Sequence, residues 1–194
     1  MKRLLYILAI GLACLVSTDL NAQWPLEMYD RYDYTNYTNY APFNQPITTS
    51  GYDADLLEAA IFYETNRQRA LYGRPQFRYD YRLKVSAHNH SVDMVNYDFF
   101  SHESPVSGKR SMSDRLEEVG IAHCMSGENI ALRPIGSSYA ETAEQLLKQW
   151  MNSPGHRANI LNESHTHLGC GVAFYENYST IYVKATQNFM RKVE

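Results

Sequence analysis

Leu168-Gly169-Cys170-Gly171-Val172-Ala173-Phe174 and Ile181-Tyr182-Val183-Lys184-Ala185-Thr186 carry a period of two. Leu168, Cys170, Val172 and Phe174 alternate with smaller residues, and Ile181, Val183 and Ala185 alternate with Tyr182, Lys184 and Thr186. Asn177-Tyr178-Ser179 between them is turn chemistry, so the pair predicts a two-stranded hairpin. From Asp53 to Leu161 the apolar residues recur at helical spacing instead. Helices first and a hairpin last define the α+β class, with helices packed on an antiparallel sheet. No internal repeat is visible.

Working backwards, Ser153-Pro154 starts a short helix, Ser as cap and Pro at its first position. The clearest helix covers 139–152, where Ser138 and Glu141 form a capping box and Tyr139, Ala143, Leu146, Leu147, Trp150 and Met151 form an apolar stripe. A short helix fits Met112 to Val119, closed by Gly120. Another starts at Asp80 and runs to about Tyr97, with Leu83, Ala87, His90 and Met94 on one face. The first follows Asp53, where Asp55 and Glu58 resemble a capping box, and ends at Gly73 and Pro75.

Residues 23–52 show neither period. Tyr29, Tyr32, Tyr34, Tyr37 and Tyr40 fall among Asp, Asn and Thr, and Pro42 and Pro46 follow. The stretch reads as a disordered Tyr/Asn/Thr/Pro-rich linker, a tether or an adhesive segment, leaving 53–194 as the folded domain. Residues 1–22 read as a signal peptide: Lys2 and Arg3, an apolar run from Leu4 to Val16, and Leu20-Asn21-Ala22 at the cut. The alternative is lipoprotein processing at Cys14. Either way the protein is expected to be exported, to the periplasm or beyond, with no transmembrane segment in the mature chain.

The formal net charge is −3. Loss of the leader removes two positive charges and Asp19, which makes it −4. An acidic chain has no electrostatic footprint for nucleic acid. Cys124 and Cys170 remain after the leader, and in an oxidising compartment they predict one disulfide; two buried free thiols are the alternative.

Seven histidines invite a metal reading. His90 sits on the apolar face of its helix and reads as a hydrogen-bonded core residue. His165 and His167 read as a surface loop. His102, in the irregular Phe99-Phe100-Ser101-His102 corner, has the position of a functional loop residue. His156 lies in the first turn of a helix, where the dipole favours neutral imidazole, the form that a metal or a general base needs. Glu128 enters an apolar run, where a carboxylate needs partners. His-Glu-x-x-His and Gly-x-Ser-x-Gly signatures are absent.

Together the motifs resemble the CAP superfamily (cysteine-rich secretory, antigen 5, pathogenesis-related; also the SCP domain), most closely its bacterial exported branch. The residues that carry the resemblance are Asn66, Arg69, Phe100-Ser101-His102, Arg115, Gly127-Glu128-Asn129-Ile130-Ala131, Trp150, Ser153-Pro154-Gly155-His156 and Gly169-Cys170-Gly171-Val172. The resemblance implies an α-β-α sandwich whose central antiparallel sheet has three or four strands. It also implies a cleft of two histidines and two glutamates, three of which match His102, Glu128 and His156, with Asn129, Trp150 and Ser153 in support. In some relatives such histidines hold a divalent ion, usually discussed as zinc. The second glutamate of the fuller tetrad would fall at Ser153, which carries no carboxylate.

Three functions follow as expectations. The first is a non-catalytic binding module for a small hydrophobic ligand (lipid or sterol-like), a glycan or a protein. The second is a metal-dependent, peptidase-like hydrolase that uses the same cleft. The third is a structural cluster that binds nothing.

Overall fold

The computed structural model describes residues 27–191. The expected leader and Cys14 lie outside the described residues. Ten regular elements follow in order: α1 (Met28–Arg31), α2 (Ala54–Leu71), β1 (Arg78–Tyr79), α3 (Tyr81–Asn96), α4 (Met112–Glu118), β2 (Ser126–Pro134), α5 (Tyr139–Met151), α6 (Pro154–Leu161), β3 (His167–Asn177) and β4 (Thr180–Met190). The sheet order is β1-β3-β4-β2. The three long strands are antiparallel, with Val172 opposite Ala185 and Ala185 opposite Ala131. The two-residue β1 runs parallel to β3, so the sheet is mixed rather than wholly antiparallel. The chain crosses that edge once between α2 and α3, in the direction of β3, too briefly to leave a period in the sequence.

α3 and α4 cover one face of the sheet, and α2, α5 and α6 cover the other. Side chains alternate across a strand, so Leu168, Cys170 and Val172 enter the main core beneath α2, with Phe62, Leu146, Trp150 and Phe189. Gly169 and Gly171 face the other way. A Cβ on Gly169 would lie 2.1 Å from the Lys84 nitrogen, and one on Gly171 would lie 1.9 Å from the His88 nitrogen. The backbone of α3 therefore rests directly on bare strand. A smaller cluster of Leu83, Leu116, Ile121 and Met190 closes that layer.

The cysteine expectation is corrected by this alternation. Both cysteines are free thiols, and Cys170 is buried. Cys170 points into the α2 layer, whereas Cys124 packs against the Leu83–Met190 cluster in the α3 layer. The sheet stands between them.

The linker expectation is also corrected over 27–52. Tyr37, Phe43 and Ile47 are buried in the main core. Two 3-10 turns, Tyr37–Asn39 and Ala41–Asn44, fold the segment back. Tyr37 stacks on Tyr63 of α2 at 5.3 Å, Phe43 meets Tyr37 edge-on at 5.2 Å, and the Tyr63 hydroxyl donates to the Met28 carbonyl at 2.9 Å. The tyrosines that broke every period are what hold the segment down. Phe43→Ala is accordingly expected to cost about 3–5 kcal/mol by urea unfolding, the range for an aromatic cavity in a core. A cost below 1 kcal/mol would restore the tether.

α2 is capped by Asp53, whose side chain accepts the Leu56 N–H, and not by the Asp55/Glu58 box. Glu58 is fully buried instead. It accepts the Val172 N–H at 2.9 Å on the open edge of β3, engages His88 Nδ1 at 2.7 Å, and lies 3.1 Å from Lys84 Nζ. A carboxylate from one helical layer and two basic groups from the other thus close the seam at that edge. The opposite edge strand, β2, carries the candidate site.

Candidate functional site

Glu128 stands near the start of β2, opposite Asn188 of β4, and its side chain is 4 % exposed. Both of its oxygens are engaged. Oε1 meets His102 Nδ1 at 2.8 Å, and Oε2 accepts from Arg115 Nη2 at 2.7 Å. The Asn188 amide, turned to satisfy its neighbours, adds a donor to Oε2 at 3.2 Å. Burial pushes the Glu128 carboxyl up, but the His102 hydrogen bond and the Arg115 charge outweigh it and hold the group below its usual range.

His102 itself is 55 % exposed. Its corner is fixed through main-chain carbonyls held by buried groups. Arg115 Nη1 donates to the carbonyls of His102, Lys109 and Arg110 at 3.1–3.2 Å. His90 Nε2 meets the Ser101 carbonyl at 3.1 Å, so His90 is the hydrogen-bonded core histidine that its face predicts. Lys184 Nζ donates to the carbonyls of Met94 and Phe99 at 2.7 and 3.0 Å. A carboxylate at Nδ1 selects the Nδ1–H tautomer of His102, which leaves Nε2 as an outward acceptor.

His156 sits in the first turn of α6, on the other layer, and reaches the same edge of β2. Burial lowers its pKa, and the nearby His102 lowers it further. Its Nδ1 is buried without a hydrogen-bond partner. Asn129 Nδ2 donates to the His156 carbonyl at 3.1 Å and to Gln187 Oε1 at 3.1 Å, while Asn159 donates to Asn129 Oδ1 at 2.9 Å. Trp150 Nε1 donates to the Ile130 carbonyl at 3.0 Å and ties α5 to β2. Ser153 occupies the N-cap position of α6 without a side-chain cap bond. The six expected residues thus divide: His102 and Glu128 touch, His156 stands near His102 without bonding to either, and Asn129, Trp150 and Ser153 belong to the frame.

Sequence reasoning missed three things. Lys184, placed on the polar side of its strand, is buried. Arg115 is the hub of the corner, although only its place in the motif drew notice. His165 and His167 are buried rather than in a surface loop, His165 stacking on Phe189 at 5.6 Å. A Lys flanked by Val183 and Ala185 in the middle of a strand was the available signal.

The donor set bears on a metal. Among the described residues no group of three or more His, Cys, Asp or Glu side chains is arranged to hold an ion. Glu128 is committed to Arg115 and His102, which leaves two imidazoles. That set does not fit a three-ligand protein site for zinc.

Acid should destabilise this arrangement. Burial depresses His90 to about 4 from its ordinary 6.5. The unfolded chain takes up that proton near pH 6.5 and the folded chain only near 4. Stability therefore falls as pH drops through that window and levels off below it, by roughly 3 kcal/mol from this group. His156 and His165, also lowered by burial, act with the same sign. His90→Gln, which keeps a donor toward Ser101, is expected to flatten the slope in denaturant titrations from pH 7 to 4. An unchanged slope would remove His90 from the account.

A three-layer sandwich with a His/Glu corner on its edge strand defines the CAP class of fold. The chain belongs to the Cysteine-rich secretory protein (CAP) family, whose model matches residues 62–189. It is 36 % identical over 147 residues to the uncharacterized protein YkwD of Bacillus subtilis strain 168, covering 76 % of this chain and 50 % of that protein. Among solved structures it is similar to an extracellular SCP-domain protein of Bacillus anthracis, with a TM-score of 0.59 and 34 % identity over 76 % of this chain and 45 % of that one. An outer surface protein of Borrelia burgdorferi shares the fold, with a TM-score of 0.56 at 15 % identity over 77 % of this chain and 99 % of that one. The chain spans about half the length of the two Bacillus relatives.

Proposed function

We propose that this is the CAP domain of an exported protein and that it serves as a non-catalytic binding module, offering the His102 corner to a small hydrophobic molecule, a glycan or a protein. The extracellular setting of the Bacillus anthracis relative supports export, to the periplasm or beyond. No helix among the described residues is long and apolar enough to cross a membrane. The observation that carries the reading is the state of Glu128. A general base needs a carboxylate free to take a proton, and this one is buried, ion-paired and held anionic. Beside the corner lies a cleft of about 610 Å³, lined by Phe99, Ser104, Pro105, Val106 and Arg110 among others. That size is ordinary for a small-molecule site.

A hydrolase reading draws on the two imidazoles, His102 and His156, the second with its pKa lowered by burial. The two are separated by one experiment. The purified protein is titrated with zinc by calorimetry, alone and as His102→Ala and His156→Ala, then assayed on peptide and ester libraries. The module reading expects no saturable zinc binding at micromolar concentration and no turnover. Saturable binding lost in both variants, with turnover in the zinc-loaded protein, would replace it with the hydrolase.

A further inference from the structure

A larger cleft, about 750 Å³, opens away from the His102 corner. It lies between residues 29–34, the Phe62–Asn66 turns of α2, and the 76–82 stretch that carries β1 and the start of α3. His102 lies beside His90, which is nine residues, or about 13 Å, along α3 from Tyr81.

Its aromatic wall is continuous. Tyr29 stacks on Tyr79 with ring centroids 3.8 Å apart, and both meet the edge of Phe62, at 5.2 and 5.8 Å. Tyr34 is half-buried at the rim, and Tyr81 is 48 % exposed. The same lining carries exposed hydrogen-bonding groups of both signs, Asp30 and Asp33 with Arg78 and Arg82, and the Gln76 amide; Arg82 also donates to the Gly120 carbonyl at 3.1 Å, and one Asp33 oxygen accepts from Thr35.

That lining selects among ligands. A wholly apolar molecule would strip water from the carboxylates and the guanidinium groups without replacing it. An anion would meet Asp30 and Asp33, and a cation would meet Arg78 and Arg82. An uncharged molecule with flat apolar faces and a rim of hydroxyls meets none of these costs. Its faces lie on tyrosine rings, and its hydroxyls both donate to carboxylates and accept from the guanidinium groups and the amide. We infer that this cleft is a carbohydrate-binding site that takes a neutral oligosaccharide of pyranose rings. It is formed by the 27–52 segment together with the CAP core. The inference rests on the binding-module reading and gives it a ligand class and a second place to bind.

The test is calorimetric titration of the purified protein with chitotetraose, cellotetraose and maltotetraose. Tyr81→Ala and Tyr34→Ala are run beside it, with His102→Ala as the control at the other cleft. Tyr81 is exposed at the first position of α3, so its replacement leaves the fold intact, which circular dichroism verifies. The expected result is saturable binding of at least one sugar, weakened about tenfold by Tyr81→Ala and unchanged by His102→Ala. No binding of any of the three at millimolar sugar overturns the inference. So does binding that survives both tyrosine replacements or that is lost in His102→Ala. Turnover of peptides or esters overturns the module reading on its own, whatever the sugars do.

Discussion

Arg115→Met is expected to cost about 3–5 kcal/mol of unfolding free energy, the usual loss when one partner of a buried ion pair is removed. Arg115 is 1 % exposed, and Glu128 faces it at 2.7 Å. Methionine fills much of the volume but returns no charge. Glu128 would be left buried with only the imidazoles of His102, at 2.8 Å, and His90, at 3.9 Å, as titratable partners, and the carbonyls of His102, Lys109 and Arg110 would each lose a donor. A protein in this size class has only about 5–15 kcal/mol to lose, so the variant should melt far below the parent. The 102–110 stretch should also become the first site of proteolysis. A double-mutant cycle with Glu128→Gln separates the pair from the carbonyls. Neutralising the carboxylate should recover part of the loss, with a coupling energy of about 1–3 kcal/mol. A cost under 1 kcal/mol for Arg115→Met, measured by urea unfolding, would remove Arg115 as the hub of the corner.

Gly171→Ala is the second large effect, and here the cause is steric. The added methyl would sit 1.9 Å from the His88 nitrogen and 2.1 Å from the Ala87 carbonyl carbon. These are backbone atoms of α3, so no rotamer change moves them aside. The helix must lift by more than an ångström along a contact that also carries the Ser91 hydroxyl bond to the Gly171 carbonyl, 3.0 Å. Overpacking a core ordinarily costs about 1–3 kcal/mol, and a clash against main chain should exceed about 4. Gly155→Ala is the matched control, because a Cβ there meets nothing within 4 Å and the residue lies inside α6. It is expected to be neutral or stabilising by up to about 1 kcal/mol. Thermal melts followed by circular dichroism compare the two, and a Gly171→Ala protein that melts with the parent would mean that α3 is not seated on the strand.

Where the chain repeats, the fold could be read. α3, α4, α5, α6 and the β3–β4 hairpin each announced themselves by an apolar stripe or an alternation together with a cap, and the structure keeps them within a residue or two at most starts. Where a residue's role depends on remote chain, it could not. Glu58 is compatible with a first-turn acid, and only Val172, Lys84 and His88, from other elements, draw it inward. The 27–52 segment has no period because ring contacts hold it instead of a repeating backbone pattern. Lys184 alternates correctly with its neighbours, yet the face it falls on is covered by the end of α3. The candidate site was legible mainly through family resemblance. His102 and Glu128 lie 26 residues apart on different layers, and no local spacing brings them together.

The two thiols on opposite faces of the sheet bear on how such a protein is made. Folding requires no oxidation step, so no wrong pairing has to be undone by an isomerase and no correct pairing can be cut by a reductant. The fold of residues 27–191 is therefore indifferent to whether its surroundings are reducing or oxidising.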